Sequence, residues 1–306
     1  MGVLSQRFRE RLAAGPPLLL DAAMGTELQR RDADTRLPLW SARALVDAPD
    51  VVREIHREEV EAGAEVITAD TFRTHRRTLS KGGLGERSAE LSALAVRLAR
   101  EAAGSGGGRE VFIAGSIAPL EDCYRPDLVP DDAALEREHR EQAESLAAAG
   151  ADLLLLETHN TLRELVAAAR AAKATGLPFV ASMVTDGRGN GRLLSGETID
   201  DAVRAIAPLE PDAIGINCVP ARKLRDDLAR LAAAAPGVPL AAYGNLGLPA
   251  DDRGWAFTEE LSPAEYAEIA KDWLALGVRL GGGCCGTTPA YTAAVRYAIH
   301  MASPNE

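Results

Sequence analysis

The feature that most constrains this chain is a repeated alternation of a short apolar run with a longer segment of helical periodicity. Eight apolar runs predict strands at 18–23, 65–71, 111–117, 152–157, 179–184, 213–218, 239–244 and 278–283. The segments between and after them predict helices at 50–62, 86–103, 131–149, 162–175, 198–207, 222–235, 263–276 and 289–301. Strict alternation is typical of a parallel sheet, and eight repeats predict an α/β fold, a single-domain (β/α)8 TIM barrel over residues 1–306.

The junctions from helix to strand support this reading. Gly63, Gly150, Gly176 and Gly277 each follow a predicted helix and precede a strand closely, as expected of left-handed helix caps. Apolar residues make up 46% of the chain but aromatic ones only 4%, so Leu, Val, Ile and Ala must form the core. That composition suits strands buried on both faces. An open, doubly wound sheet is the structural alternative.

The charge balance disfavours two classes of partner. The chain has 45 Asp and Glu residues against 34 Lys and Arg residues, for a net charge of −11. Such a protein repels nucleic-acid phosphates and anionic lipids, so we expect neither nucleic acid nor membrane as a partner. The early apolar runs are too short for a signal peptide, and cysteines without an export signal favour free or metal-bound thiols. These observations predict a cytoplasmic protein and leave its oligomeric state open.

Polar residues gather where the predicted strands end. In a TIM barrel the carboxyl ends of the strands form the catalytic face. Carboxylates, hydroxyls, an amide and thiols stand there: Asp21, Asp70, Thr71, Ser116, Glu157, Cys218, Asn245, Cys284 and Cys285. Any one of them could be an ordinary polar loop residue, but together they predict one polar site.

Three cysteines carry the sharpest signal. Cys218 ends the sixth strand, and Cys284 and Cys285 follow the eighth within a run of glycines. Neighbouring residues of a strand point to opposite faces, so both thiolates can bind one metal only where the backbone leaves strand geometry, which glycine permits. Three thiolates suit Zn²⁺ and leave a fourth position for substrate. Ordinary buried thiols, or a phosphate site at these glycines, are the alternatives. Cys123, in a polar loop, is expected to be incidental.

With these residues assembled, the chain resembles the homocysteine S-methyltransferase family. That family includes S-methylmethionine-dependent and betaine-dependent enzymes and the homocysteine-binding module of cobalamin-dependent methionine synthase. The resemblance extends from Leu18 to about Arg296. Its motifs are DAAMGTEL at 21–28, ITADTF at 67–72, GSIAP at 115–119, ET at 157–158, GINC at 215–218, YGN at 243–245 and GGCCGTTP at 282–289.

The resemblance implies a fold and a set of roles. It implies that Cys218, Cys284 and Cys285 bind zinc and act in catalysis through it. It also implies that Asp21 and Glu157 hold the ammonium group of the substrate. The remaining candidate substrate contacts are the backbone amides of Ala22 and Ala23, together with Trp40, Thr71 and Asn245.

Two departures from the family pattern bear on the substrate and the donor. Ala22 stands where the family often has glycine, so the backbone there must avoid positive φ. Arg73 places a cation where a cationic methyl donor would need room. Because Arg73 lies two residues past the predicted strand end, we expect its side chain to turn outward to solvent.

The implied reaction is zinc-dependent transfer of a methyl group from a small onium donor, S-methylmethionine first, to the thiolate of homocysteine, giving methionine. Two alternatives stay open. The first is an aldolase-type or lyase-type barrel that acts on a phosphorylated substrate with Glu157 and His159 as acid and base. The second is a non-enzymatic, zinc-dependent sensor of thiol amino acids.

Overall fold

The computed structural model describes residues 3–250, 254–258 and 261–302, and a parallel barrel forms the centre of this part of the chain. Its strands and one hairpin are β1 Leu18–Leu19, β2 Val66–Ala69, β3 Phe112–Ile117, β4 Leu153–His159, β5 Phe179–Met183, β6 Ala213–Pro220, β7 Leu240–Asn245, β8 Leu248–Ala250, β9 Gly254–Ala256 and β10 Val278–Gly283. Eight strands pair in the order β1-β10-β7-β6-β5-β4-β3-β2. A parallel bridge from Leu20 to Val66 joins the two ends of this sheet. The barrel prediction is therefore confirmed, and the open sheet is excluded.

Helices surround the barrel. They are α1 Val3–Ala13, α2 Met24–Arg30, α3 Ala44–Asp47, α4 Pro49–Ala62, α5 Arg76–Lys81, α6 Ser88–Ala103, α7 Asp132–Ala148, α8 Leu162–Thr175, α9 Ile199–Ile206, α10 Leu224–Ala234, α11 Pro263–Ala275 and α12 Pro289–Ala302. All the helices that the periodicity predicted are present, with ends displaced by at most two residues. The pattern missed α1 and the short helices α2, α3 and α5, together with the β8–β9 hairpin.

The first two strands are shorter than the apolar runs predicted. Asp21 nevertheless stays joined to both neighbouring strands, because its N–H donates to the carbonyl oxygen of Val66 and its own carbonyl oxygen accepts from Gly283. Its carboxylate also accepts hydrogen bonds from the backbone N–H and the hydroxyl of Thr68 on β2, both at 2.8 Å. These contacts hold Asp21 where β1 reaches the catalytic face.

Two apolar layers hold the barrel together. Inward-facing residues such as Leu20, Leu155 and Tyr243 fill the barrel, and a larger layer packs the outer faces of the strands beneath the helices. Helix α1 covers the amino end of the barrel, where Phe8 meets Phe112 edge to face at 5.6 Å between ring centroids. With that end covered, ligands reach the barrel from the carboxyl ends of the strands.

The predicted helix caps are confirmed. Gly63, Gly150, Gly176 and Gly277 all have positive φ, which turns the chain sharply from each helix toward the next strand. Among the described helices, none combines the length and the apolar character needed to cross a membrane.

Candidate metal centre and active-site cavity

Three thiols meet at the carboxyl end of the barrel. The Sγ atoms of Cys218, Cys284 and Cys285 all lie within 4.8 Å of one another, and those of Cys218 and Cys285 are 3.8 Å apart. A tetrahedral site with metal–sulfur bonds of about 2.3 Å places its sulfurs about 3.8 Å apart. The cluster therefore fits a metal held by three thiolates, with a fourth position left for another ligand.

The backbone leaves strand geometry at each of these cysteines. Cys218 has a φ of 55°, and the register between β6 and β7 shifts between Asn217 and Pro220. Cys284 and Cys285 follow the last residue of β10 in a turn, which ends at Gly286 with a φ of 86°. A Cβ atom at Gly286 would overlap the carbonyl oxygen of Leu246, so only glycine fits there. The break in strand geometry that the glycine run predicted is confirmed.

Two further side chains hold Cys218. Tyr124 Oη donates to its Sγ at 3.1 Å, and Asn245 Nδ2 donates to its carbonyl oxygen at 2.9 Å. Hydrogen bonds from Cys284 and Cys285 lower the pKa of the Cys218 thiol, and the same bonds raise the pKa of the two donors. The close approach of the three thiols thus favours a thiolate within the cluster.

Two buried carboxyl groups stand near the thiols. Burial raises the pKa of Asp21 to about 7, even though Thr68 binds it. Burial raises the pKa of Glu157 to about 8, and the nearby Asp21 adds to this shift. Ser116 Oγ donates to Glu157 Oε2 at 2.5 Å. Neither carboxyl has a basic partner among the residues that the structure describes, so this wall favours a cationic ligand.

A cavity of about 400 Å³ connects the thiols and the carboxyls. This volume is within the range of small-molecule sites. Most of the predicted site residues line it: Asp21, Ala22, Ala23, Trp40, Glu157, Cys218, Cys284 and Cys285. Ala22 avoids positive φ, as its side chain requires.

Thr71 and Asn245, both predicted as substrate contacts, are not among the residues that line this cavity. Thr71 Oγ1 donates to the carbonyl oxygen of Ser116 at 2.9 Å and accepts from its N–H at 2.8 Å. Asn245 is buried against Cys218. Thr71 therefore positions Ser116 and Asn245 positions Cys218, while Asn245 Oδ1 has no hydrogen-bond partner among the described residues.

Trp40 is held between two glycines at the mouth of the cavity. A Cβ atom at either Gly25 or Gly254 would collide with the indole ring. Trp40 itself has a φ of 50°, a conformation that side chains other than glycine rarely adopt. The first turn of α2 and the β8–β9 hairpin therefore hold this ring in place on the cavity wall.

Three residues on the cavity wall were misjudged or missed by the sequence pattern. Arg73 is half-buried and lines the cavity, so its expected turn toward solvent is wrong. Its Nη1 donates to the carbonyl oxygen of Glu121 at 3.1 Å, which holds it inward. Cys123, expected to be incidental, also lines the cavity, as does Tyr124. The position of Cys123 and Tyr124 could have been inferred from the sequence, because the loop after β3 lies on the catalytic face.

The geometry disfavours the alternative built on acid–base chemistry and phosphate. His159 is fully buried outside the cavity wall, 3.2 Å from the carbonyl oxygen of Ile117, and burial lowers its pKa to about 4. At the glycine run, Thr287 packs against Gly283, and the N–H of Gly286 donates to Thr26 at 3.0 Å. With that space filled and that amide occupied, the turn is poorly suited to phosphate.

Comparisons with known proteins agree with this geometry. The family model described as "Homocysteine S-methyltransferase" matches residues 18–299. The homocysteine S-methyltransferase of Escherichia coli is 34% identical over 91% of this chain and 94% of its own length. The methionine synthase of Mycobacterium tuberculosis is 32% identical over 98% of this chain, which corresponds to 25% of that longer protein.

A solved structure extends the likeness to three dimensions. The metallated form of the homocysteine methyltransferase MmuM from Escherichia coli superposes with a TM-score of 0.81 at 31% identity, covering 95% of this chain and 99% of that one. The superposed region includes the barrel that carries the thiol cluster. The chain belongs to the homocysteine S-methyltransferase family.

Proposed function

We propose that this methyltransferase uses zinc to transfer a methyl group from a small onium compound, with S-methylmethionine as the favoured donor, to homocysteine, giving methionine. The observation that carries the proposal is the thiol cluster at tetrahedral spacing, which shares a cavity with two buried carboxyls that pair with no basic side chain among the described residues. The cluster suits a soft metal, and the carboxyls suit the ammonium group of an amino acid.

The metal would be held by Cys218, Cys284 and Cys285. Thiolate ligands favour zinc over hard cations such as magnesium or calcium. Zinc bound there would supply the charge that keeps a substrate thiol deprotonated near neutral pH. Tyr124 and Asn245 hold Cys218 in position by their hydrogen bonds to it.

The amino-acid end of homocysteine fits the opposite wall. Its ammonium group would pair with Asp21 and Glu157, and the arriving positive charge would lower the pKa of both carboxyls. Its carboxylate would accept from the backbone N–H group of Ala23, which lines the cavity beside Asp21, because the N–H of Ala22 already donates to Glu59. These contacts orient the sulfur toward the thiol cluster.

The transfer itself needs positioning more than proton transfer. The sulfur of homocysteine donates an electron pair to the methyl carbon, and the carbon–sulfur bond of the sulfonium donor breaks. The electrons of that bond stay on the departing sulfur, so S-methylmethionine leaves as neutral methionine. The thiol proton is released to solvent before the attack, and no side chain has to act as a general base.

Zinc content tests the metal site. Purified protein should carry close to one zinc per chain by metal analysis, and Cys218→Ser, Cys284→Ser or Cys285→Ser should each lose most of it. Cys123→Ser is the matched control and should retain zinc, because Cys123 stands outside the cluster. Retention of zinc by all three cluster variants would refute this metal site.

Initial rates test the donor. Homocysteine and zinc-loaded protein should form methionine fastest with S-methylmethionine, when it is compared with S-adenosylmethionine and betaine at equal concentration. Activity with another donor but not with S-methylmethionine would change the donor assignment. It would not contradict methyl transfer to the homocysteine thiolate. Turnover with any donor excludes a sensor without catalytic activity.

A further inference from the structure

Two charged side chains on the cavity wall have no role in the chemistry described above. Asp70 and Arg73 stand three residues apart on the loop after β2, and both line the cavity. Asp70 is only 3% exposed, and its Oδ2 has no hydrogen-bond partner among the residues that the structure describes. Burial raises the pKa of Asp70 to about 6, despite a hydrogen bond from Ser41. A bound cation would relieve that burial cost.

Arg73 is the matching unbalanced cation. In the described part of the chain, its guanidinium binds the carbonyl oxygen of Glu121 and no carboxylate, and its buried Nε has no partner. The neighbouring arginines differ: Arg76 pairs with Glu86 and Glu141, and Arg77 pairs with Glu121 and Glu138. Arg73 therefore faces the cavity with donors available for an anion.

Arg73 and Trp40 share the cavity with the thiol cluster. Burial raises the pKa of the Cys123 thiol to about 12, while the Arg73 charge lowers it and Cys218 raises it. Both Arg73 and Cys218 are thus near Cys123 on a cavity that also reaches Trp40. The cavity offers an anion, a cation and an aromatic face beyond the thiol cluster, a set that complements a molecule with both an onium centre and a carboxylate.

We propose that Asp70, Arg73 and Trp40 form the methyl-donor subsite and select a zwitterionic donor, whose carboxylate binds Arg73 while its cationic end lies against Asp70 and Trp40. This inference rests on the proposed function, because it assumes an onium donor. It explains how a cavity can hold an arginine and still accept a cationic donor: the donor brings its own carboxylate to the guanidinium.

The test compares two sulfonium donors in wild-type protein and in Arg73→Met. S-methylmethionine carries a carboxylate, whereas the trimethylsulfonium ion has the same reacting centre without one. We expect Arg73→Met to lower kcat/KM for S-methylmethionine about 10- to 100-fold, mainly through KM, because a charge-assisted contact is lost. The rate constant with trimethylsulfonium should stay the same or rise, since a nearby cation is removed.

Two further variants keep the result interpretable. Arg73→Lys should recover part of the loss with S-methylmethionine, because it keeps the charge without the planar fork. Arg76→Met is the matched control on the outer surface and should leave kcat/KM unchanged for both donors. Zinc content and melting temperature, measured for every variant, report on folding.

The outcomes separate this subsite from the proposed function. If Arg73→Met lowered kcat/KM equally for both donors, or for neither, the subsite would be refuted. Methyl transfer from an onium donor would still be supported. If wild-type protein transferred a methyl group from no onium donor, the proposed function would fail and this inference with it.

Discussion

The most informative single residues of this protein are ionisable side chains that have no oppositely charged partner in the described part of the chain. Asp21, Asp70 and Glu157 are buried carboxyls with raised pKa values, and Arg73 is a cation that no described carboxylate balances. Buried charges in stable proteins are normally paired, since desolvation otherwise costs several kcal/mol. Their concentration on one cavity indicates that ligands complete the pairs.

Glu157→Gln tests this idea for the homocysteine ammonium. The amide is similar in size but neutral, so a charge-assisted hydrogen bond worth about 1.5–3 kcal/mol is lost. We expect homocysteine to bind about 10- to 100-fold more weakly, as measured by calorimetry or KM. Zinc content should not change. The exposed Glu86→Gln serves as control, and unchanged homocysteine affinity in Glu157→Gln would contradict the assigned role.

Between elements, a buried contact joins helices α4 and α12 behind the loop that carries Asp21. Glu59 on α4 accepts from Thr292 Oγ1 on α12 at 2.7 Å. Its carboxyl also accepts from the backbone N–H of Ala22, on the loop that carries Asp21. Burial raises the pKa of Glu59 to about 8, and the Asp21 charge adds to this shift. The two helices thus fix the loop through a buried carboxyl, and burial makes that carboxyl harder to ionise.

The raised pKa of Glu59 gives a pH dependence of stability. The folded protein binds the Glu59 proton more tightly than the unfolded chain does, so the free energy of unfolding falls as pH rises from about 4.5 to about 8. Glu59→Gln keeps the size and removes the ionisation. We expect its melting temperature to decline less than that of wild type between pH 6 and pH 9, by roughly 2–4 °C.

Glu61→Gln is the control for this measurement, because Glu61 is on the same helix but its side chain is 51% exposed and pairs with Arg57. The melting temperatures should be recorded at a fixed zinc concentration. Parallel declines for wild type and Glu59→Gln would show that Glu59 does not carry this pH dependence.

For the whole molecule, the thiol cluster joins strands that are distant in the sequence. Cys218 lies on β6, while Cys284 and Cys285 follow β10, and β7 lies between these two strands in the sheet. Strand β10 also pairs with β1 and so takes part in closing the barrel. A metal bound by the cluster would therefore hold the last part of the barrel to its middle.

Zinc should accordingly stabilise the native protein. A ligand that binds the folded state alone adds about 2.7 kcal/mol at a concentration of 100 times its dissociation constant. We expect a chelator to lower the melting temperature by several degrees and added zinc, but not magnesium, to restore it. Cys284→Ser should respond to neither treatment. A melting temperature independent of zinc, in protein shown to bind it, would contradict this linkage.

The architecture and the thiol cluster could be predicted from the sequence because both follow from local signals. Eight apolar runs alternate with helical periodicity, and parallel strands place their carboxyl ends on one face of a barrel. The positions of Cys218, Cys284, Cys285, Asp21 and Glu157 on that face follow from their places at strand ends.

Only the tertiary structure decided which polar side chains face the cavity. Thr71 and Asn245 stand at strand ends yet bind neighbouring backbone, whereas Arg73 and Tyr124 belong to loops yet turn inward. The direction of a side chain beyond the last paired residue depends on φ at single positions, such as 55° at Cys218, and on which distant carbonyl accepts its hydrogen bond. Those contacts join residues far apart in the chain, so no local pattern in the sequence records them.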